Sequence, residues 1–114
     1  MTLGCWGEDI AEKYLKKKGY HIVERNFRCR LGEIDIIARD GAELVFIEVK
    51  TRQSQSYGLP CESINAEKVR HIIRTAAYYT TVHGMEYPET RLDVIEILKQ
   101  EGKTYLHHIE NITG

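Results

Sequence analysis

The segment Leu44–Lys50, LVFIEVK, is apolar enough for a buried strand, yet it carries Glu48 and Lys50 within it. Side chains alternate faces along a strand. Leu44, Phe46, Glu48 and Lys50 therefore share one face, and Val45, Ile47 and Val49 line the other. Just upstream, EIDIIA sets Glu33, Asp35 and Ile37 on one face of a second strand, with Ile34, Ile36 and Ala38 opposite. Burying a charge is costly unless a partner or a metal compensates it. A hairpin of these two strands brings Asp35 beside Glu48 and Lys50. Two carboxylates and an amine at one spot have the composition of a divalent-metal site for phosphodiester hydrolysis.

The rest of the chain supplies a frame for that hairpin. Residues from about Gly4 to Lys18 read as a helix, with Trp6, Ile10, Ala11, Tyr14 and Leu15 on one apolar arc. Lys16, Lys17 and Lys18 load its C-terminal turn, and Gly19 is its stop. Glu8 falls at the edge of the apolar arc, looking along the core boundary. Tyr20–Arg30 is strand-like, and with EIDIIAR, a turn signal at Asp40-Gly41, and ELVFIEVKTR it predicts a three-stranded antiparallel meander. Gln53–Ile64 reads as a polar loop containing Tyr57, Gly58 and Pro60. A second helix starts with Asn65 as N-cap, buries Val69, Ile72, Ile73, Ala76, Ala77 and Thr80, and ends at Gly84. After Pro88, RLDVIEIL and TYLHHIEN form two more strands around a Glu101-Gly102 turn. The expected architecture is a single α/β domain over residues 1–114, a mixed sheet flanked by helices in the order αβββαββ.

Composition narrows the function classes. With a net charge of −1 and a pI near 6.5, the 114-residue chain is not a basic coat for nucleic acid. Charge is nevertheless uneven: Ile10–Arg30 holds seven Lys or Arg residues against two acids, Glu12 and Glu24. Cys5, Cys29 and Cys61 are odd in number and widely spaced, which reads as free thiols in a reduced compartment. No leader peptide is expected, and no apolar run approaches the roughly 20 residues that span a bilayer. These features predict a cytoplasmic protein with no membrane partner.

Metal-dependent cleavage of a phosphodiester requires hard oxygen ligands for Mg²⁺ or Mn²⁺ and a cation beside the nucleophile. Asp35 and Glu48 are the candidate ligands, with the backbone carbonyl of Val49 as a third. Lys50, on the face of Glu48, is the candidate cation. E-x-K by itself marks only a surface ion pair; its setting in an apolar strand beside Asp35 is what points to a site. Glu33 is equally an exposed strand-end acid or a further ligand. Arg25, Asn26, Arg28, Arg30 and Arg52, with Lys68, Arg70 and Arg74, offer a basic rim for a polyanion. Asp93 inside RLDVI reads as structural, paired with Arg91 or another buried cation. Tyr57 is a candidate base-stacking residue. His107 and His108 are adjacent on a strand and point to opposite faces, and no Cys/His spacing fits a zinc site.

Several of these motifs together resemble a known family. The helix around GEDIAEKYL, the G-x6-N-F-R run ending at Arg28, GEIDIIA, FIEVKTR and the late RLDVI strand are similar to the YraN family of small bacterial proteins. Asp35 followed by Glu48-Val49-Lys50 resembles the core of the PD-(D/E)xK nuclease superfamily, with Ile34 where the name motif has proline. The resemblance implies a restriction-endonuclease-like fold. It also implies a similarity to archaeal Holliday-junction resolvases, which place a glutamate of the first helix near the metal; Glu8 matches that position. A catalytic set of Asp35, Glu48 and Lys50 follows, with Glu8, Asp35, Glu48 and Val49 toward the metal, and DNA as the expected partner. A homodimer would suit a junction of two-fold symmetry. Two other classes compete with the nuclease: a noncatalytic nucleic-acid-binding module, and a structural protein whose acids and Lys50 form a buried salt-bridge network.

Overall fold

The computed structural model describes residues 2–53, 65–83 and 89–113. Helix α1 (Leu3–Lys17) is followed by strands β1 (His21–Cys29), β2 (Gly32–Asp40) and β3 (Glu43–Gln53). Helix α2 (Ala66–Val82), β4 (Glu89–Gln100) and β5 (Lys103–Ile109) complete the chain. The strands lie in the sheet in chain order, β1-β2-β3-β4-β5. Consecutive pairs are antiparallel except β3 and β4, which run parallel and have α2 between them in the chain. This is a mixed five-stranded sheet with helices, in the expected order αβββαββ, and it is compatible with a restriction-endonuclease-like fold. The Gln53–Ile64 loop beyond Gln53, including Tyr57 and Cys61, lies outside the described residues, as do Gly84 and Pro88.

Each face of the sheet has its own core. On one, Ala11 and Leu15 of α1 pack on Ile36, Ala38, Val45, Ile47, Ile95 and Ile97. On the other, Ile72 and Tyr79 of α2 cover Ile34, Ile37, Leu44, Phe46 and Leu92. Local signals hold both helices in place. The Thr2 hydroxyl accepts the Cys5 N–H at 3.1 Å at the start of α1. The Asn65 side chain accepts the Lys68 N–H at 2.8 Å at the start of α2.

Two local details depart from the sequence reading. Asp40 pairs with Glu43, so the β2–β3 turn is Gly41-Ala42 instead of Asp40-Gly41. Gly41 takes φ +60° at the first turn position, a conformation that favours glycine. Helix α2 is also rotated from the expected face: Ile72, Thr75 and Tyr79 are buried, while Ile73 is 48% exposed and Ala77 is exposed. The cause is aromatic packing, since the Tyr79 ring meets Phe27 at 5.0 Å and Phe46 at 6.1 Å. A buried tyrosine brings a large apolar area and edge-to-face ring contacts. Thr75 follows it inward because its hydroxyl donates to the His71 carbonyl at 2.8 Å.

The β4–β5 end holds a closed polar network. Asp93 is fully buried and accepts from Arg91 Nε at 2.9 Å, from the Asn111 N–H at 2.9 Å, and pairs with His108 Nε2 at 2.7 Å. Asp93 is therefore structural and paired with Arg91, as its place in an apolar strand predicts. Among the described residues, no helix is long and apolar enough to cross a membrane.

Candidate metal centre

The site begins where β2 leaves β3. Their pairing runs from Asp40↔Glu43 to Ile36↔Ile47 and stops one step short of Asp35 and Glu48. Across the other edge of β2, the register passes from Arg25↔Ile36 to Phe27↔Ile34 around Asn26, which has φ +55°. Face alternation breaks at the same place. Ile34 packs with the α2 core whereas Ile36 and Ala38 pack with the α1 core, so the three do not share the face that strict alternation assigned them. The break frees Asp35 from the ladder, and its Oδ2 accepts the Val49 N–H at 2.8 Å. A carboxylate thus stands where a backbone carbonyl would have been. The N–H and C=O of a strand residue point toward the same neighbour, so the Val49 carbonyl faces the Asp35 side as well.

Glu48 is 5% exposed, on the α2 face of β3. Its Oε1 lies 3.4 Å from Lys50 Nζ and 3.2 Å from Lys68 Nζ, so two ammonium groups converge on a single oxygen. Among the described residues, Asp35 has no cation of its own. Burial pushes its carboxyl up to about 7, reinforced by the charge of Glu48, by Glu8 and by a hydrogen bond with Glu48, while the Val49 N–H opposes the rise. The two carboxyls are thus close neighbours.

Glu8 reaches this neighbourhood because α1 comes unusually close to β3. A Cβ on Gly7 would lie 2.0 Å from Thr51 Oγ1, so only glycine permits the approach. Glu8 Oε1 receives Arg25 Nη2 at 3.2 Å, and the same guanidinium serves Asp9 at 2.8 Å and Glu12 at 3.4 Å. Arg25 therefore faces the acids of α1, where the rim reading had it facing a phosphate. The reason is alternation along β1, which turns it toward the helix. Lys68 also differs from its expected place on the rim: the first turn of α2 carries it onto Glu48. Arg28 is exposed and pairs with Glu33 at 3.1 Å, which holds Glu33 at the hairpin surface away from Asp35. Arg30 is exposed, and Arg52 is half-buried one step beyond Lys50 on the same face of β3.

The donor set suits a hard cation. Asp35, Glu48 and the Val49 carbonyl offer oxygen only, and the unbalanced charge of Asp35 is what a divalent ion would offset. Thr51 Oγ1, buried beside Gly7, has no partner among the described residues. Among the described residues, no three His, Cys, Asp or Glu side chains form a ready cage, Glu8 being drawn to Arg25. Two carboxylates completed by water match Mg²⁺, which keeps several waters when bound. His108 turns to Asp93 and His107 to Glu96, so the histidines diverge. Cys5 and Cys29 are free thiols.

One buried acid escaped the sequence reading. The parallel register sets Glu96 of β4 against Lys50. Glu96 is 6% exposed, and among the described residues its Oε1 has no partner. The signal was present, since VIEIL carries an acid in an apolar strand just as VFIEV does. Only the unseen adjacency of β3 and β4 gives it meaning.

The comparisons with known proteins agree with one another. The family described as "Uncharacterised protein family UPF0102" matches residues 7–97. A UPF0102 protein of Alkaliphilus metalliredigens is 46% identical over 110 residues, covering 96% of each chain. One from Clostridium acetobutylicum is 51% identical over 110 residues, covering 95% of this chain and 90% of its own. A third, from Caldanaerobacter subterraneus, is 41% identical over 111 residues, covering 97% and 91%.

Proposed function

This chain belongs to the uncharacterised protein family UPF0102, and on that premise we propose that it is a metal-dependent endonuclease. Its substrate is a nucleic-acid phosphodiester, DNA before RNA and branched DNA among the forms to test. The observation that carries this reading is the pair Asp35 and Glu48, set together where β2 parts from β3, with an oxygen-only donor set and Lys50 beside it. Asp35, Glu48 and the Val49 carbonyl would hold Mg²⁺ or Mn²⁺, with Glu8 acting through water. When bound, the ion supplies a more acidic water and offsets charge developing on the phosphate. Lys50 orients the attacking water and adds positive charge where the phosphoryl oxygens gain negative charge. Lys68 reaches the same oxygen of Glu48 from α2 and shares its charge before metal binds. Arg28, Arg30 and Arg52 contact the nucleic-acid backbone, fixing position without reading sequence.

The test is a cleavage assay on labelled duplex, single-stranded, flap and four-way-junction DNA, comparing wild type with Glu48→Ala in Mn²⁺, Mg²⁺ or EDTA. Product from wild type alone, abolished by EDTA, is the expected result. A second reading, a noncatalytic binding module, draws on the two lysines that already balance Glu48. It predicts metal-dependent DNA binding without product from a folded wild-type protein, and that outcome would replace the nuclease reading.

A further inference from the structure

Charge is shared unevenly on the α2 face at the β3–β4 junction. Two ammonium groups, Lys50 and Lys68, are held by one oxygen of Glu48. One strand away, Glu96 is almost as deeply buried as Glu48 and keeps one oxygen without a partner among the described residues. Its other oxygen, Oε2, lies 3.6 Å from Nδ1 of His107, a largely exposed residue that pairs with it across β4 and β5. A buried carboxylate oxygen without a partner is destabilising, so this arrangement calls for an occupant that the resting charge distribution does not supply. Lys50 is the cationic neighbour set against it in the sheet. Lys50↔Glu96 is a direct register pair, and adjacent strands stand only about 4.8 Å apart.

We propose that Glu96 is a positioning residue for Lys50, taking up its ammonium when a divalent cation occupies Glu48. The inference rests on the metal-dependent reading of the Asp35–Glu48 pair. A divalent cation on Glu48 repels both ammonium groups at close range and competes for the oxygen they share. Lys68, on the first turn of α2 and 39% exposed, has solvent to turn to. Lys50, 26% exposed, stands on the strand between two acids of one face, Glu48 before it in sequence and Glu96 beside it in the sheet. Transfer to Glu96 keeps Lys50 charged and compensated while its stem stays over the site. The cation is then held a fixed step from the metal ligands, where a water on the metal side meets it.

The test follows Mg²⁺ added to ¹³C-labelled protein through the carboxyl carbons of Glu48 and Glu96, assigned with Glu48→Gln and Glu96→Gln. The expected result is that both signals move with one midpoint, and that the Glu96 response disappears in Lys50→Met. Lys50→Gln serves in its place if that variant does not fold. Movement of Glu48 without Glu96 overturns the proposal and leaves the metal site standing. A Glu96 response that persists without Lys50 also overturns it, and makes Glu96 a ligand. If neither signal moves, the metal reading falls and takes this inference with it. In the cleavage assay, Glu96→Gln is expected to lower turnover on the order of 10- to 100-fold with KM unchanged, and Glu96→Asp to restore most of it.

Discussion

Two buried carboxylates on neighbouring parts of one sheet meet opposite fates. Asp93, fully buried, would be raised by burial alone, yet His108, Arg91 and the Asn111 N–H together bring it below the usual carboxylate range. Asp35, only half-buried, is raised to about 7, because burial and the charge of Glu48 outweigh a single backbone N–H. Every bonding direction of Asp93 is filled by the fold itself. Among the described residues, Asp35 is left one cation short. The difference separates a charge that the structure has closed off from one that it has left open for something to enter, and depth of burial alone would have ranked them the other way.

The comparison can be broken most forcefully at its closed end. Arg91→Met strips Asp93 of its guanidinium partner and is expected to cost about 3–5 kcal/mol in urea unfolding. A cost below 1 kcal/mol would mean that the network is not what holds Asp93 there. Gly7→Ala strikes the open end through packing, because its new Cβ would collide with Thr51. We expect a loss of about 1–3 kcal/mol together with weaker Mn²⁺ binding, read by calorimetry, as α1 carries Glu8 away.

The pH dependence of stability should have opposite signs at the two ends. The folded pKa of Asp35 lies above its unfolded value near 3.8, so the folded state binds that proton more tightly. Its stabilising contribution is complete below about pH 4 and is lost as pH rises toward 7. The contribution of Asp93 is present above its unfolded value and lost as pH falls below it. Asp35→Asn should therefore flatten the decline in melting temperature between pH 4 and 7 and leave the acid limb intact. An unchanged decline would remove Asp35 as its source. Mg²⁺ should raise the melting temperature at pH 8 more than at pH 5, since its ligands must be ionised. The smallest effect is expected for Lys68→Ala, about 0–1 kcal/mol, because that ammonium is partly solvated and Lys50 remains on Glu48.

How much of this was legible in the sequence depends on how far apart the interacting residues lie. The five strands, the Asn65 cap and the pairing of Asp93 with Arg91 follow from periodicity and from neighbours one or two positions away. So does the nearness of Asp35 to Glu48, which needs only a hairpin. The break in face alternation at Asp35, opposite the positive φ of Asn26, was not legible, since alternation assumes an unbroken ladder and nothing in EIDIIA announces the interruption. Arg25 was misplaced for a related reason: its partners Glu8, Asp9 and Glu12 belong to a helix whose docking no local pattern encodes. The rotation of α2 was hidden by counting aliphatic residues when one tyrosine decides the face. Glu96 remained silent until β4 was seen beside β3.

That adjacency also orders the assembly of the molecule. The β1–β2, β2–β3 and β4–β5 pairs are hairpins between consecutive strands, closed by short loops. The β3–β4 junction must close across the whole of α2, and loop-closure entropy makes such contacts slow to form. Asp35, Glu48 and Lys50 belong to the quick half of the chain, whereas Lys68 and Glu96 reach them only when the sheet is joined. The folding pathway therefore makes the acids first and their full complement of neighbours last.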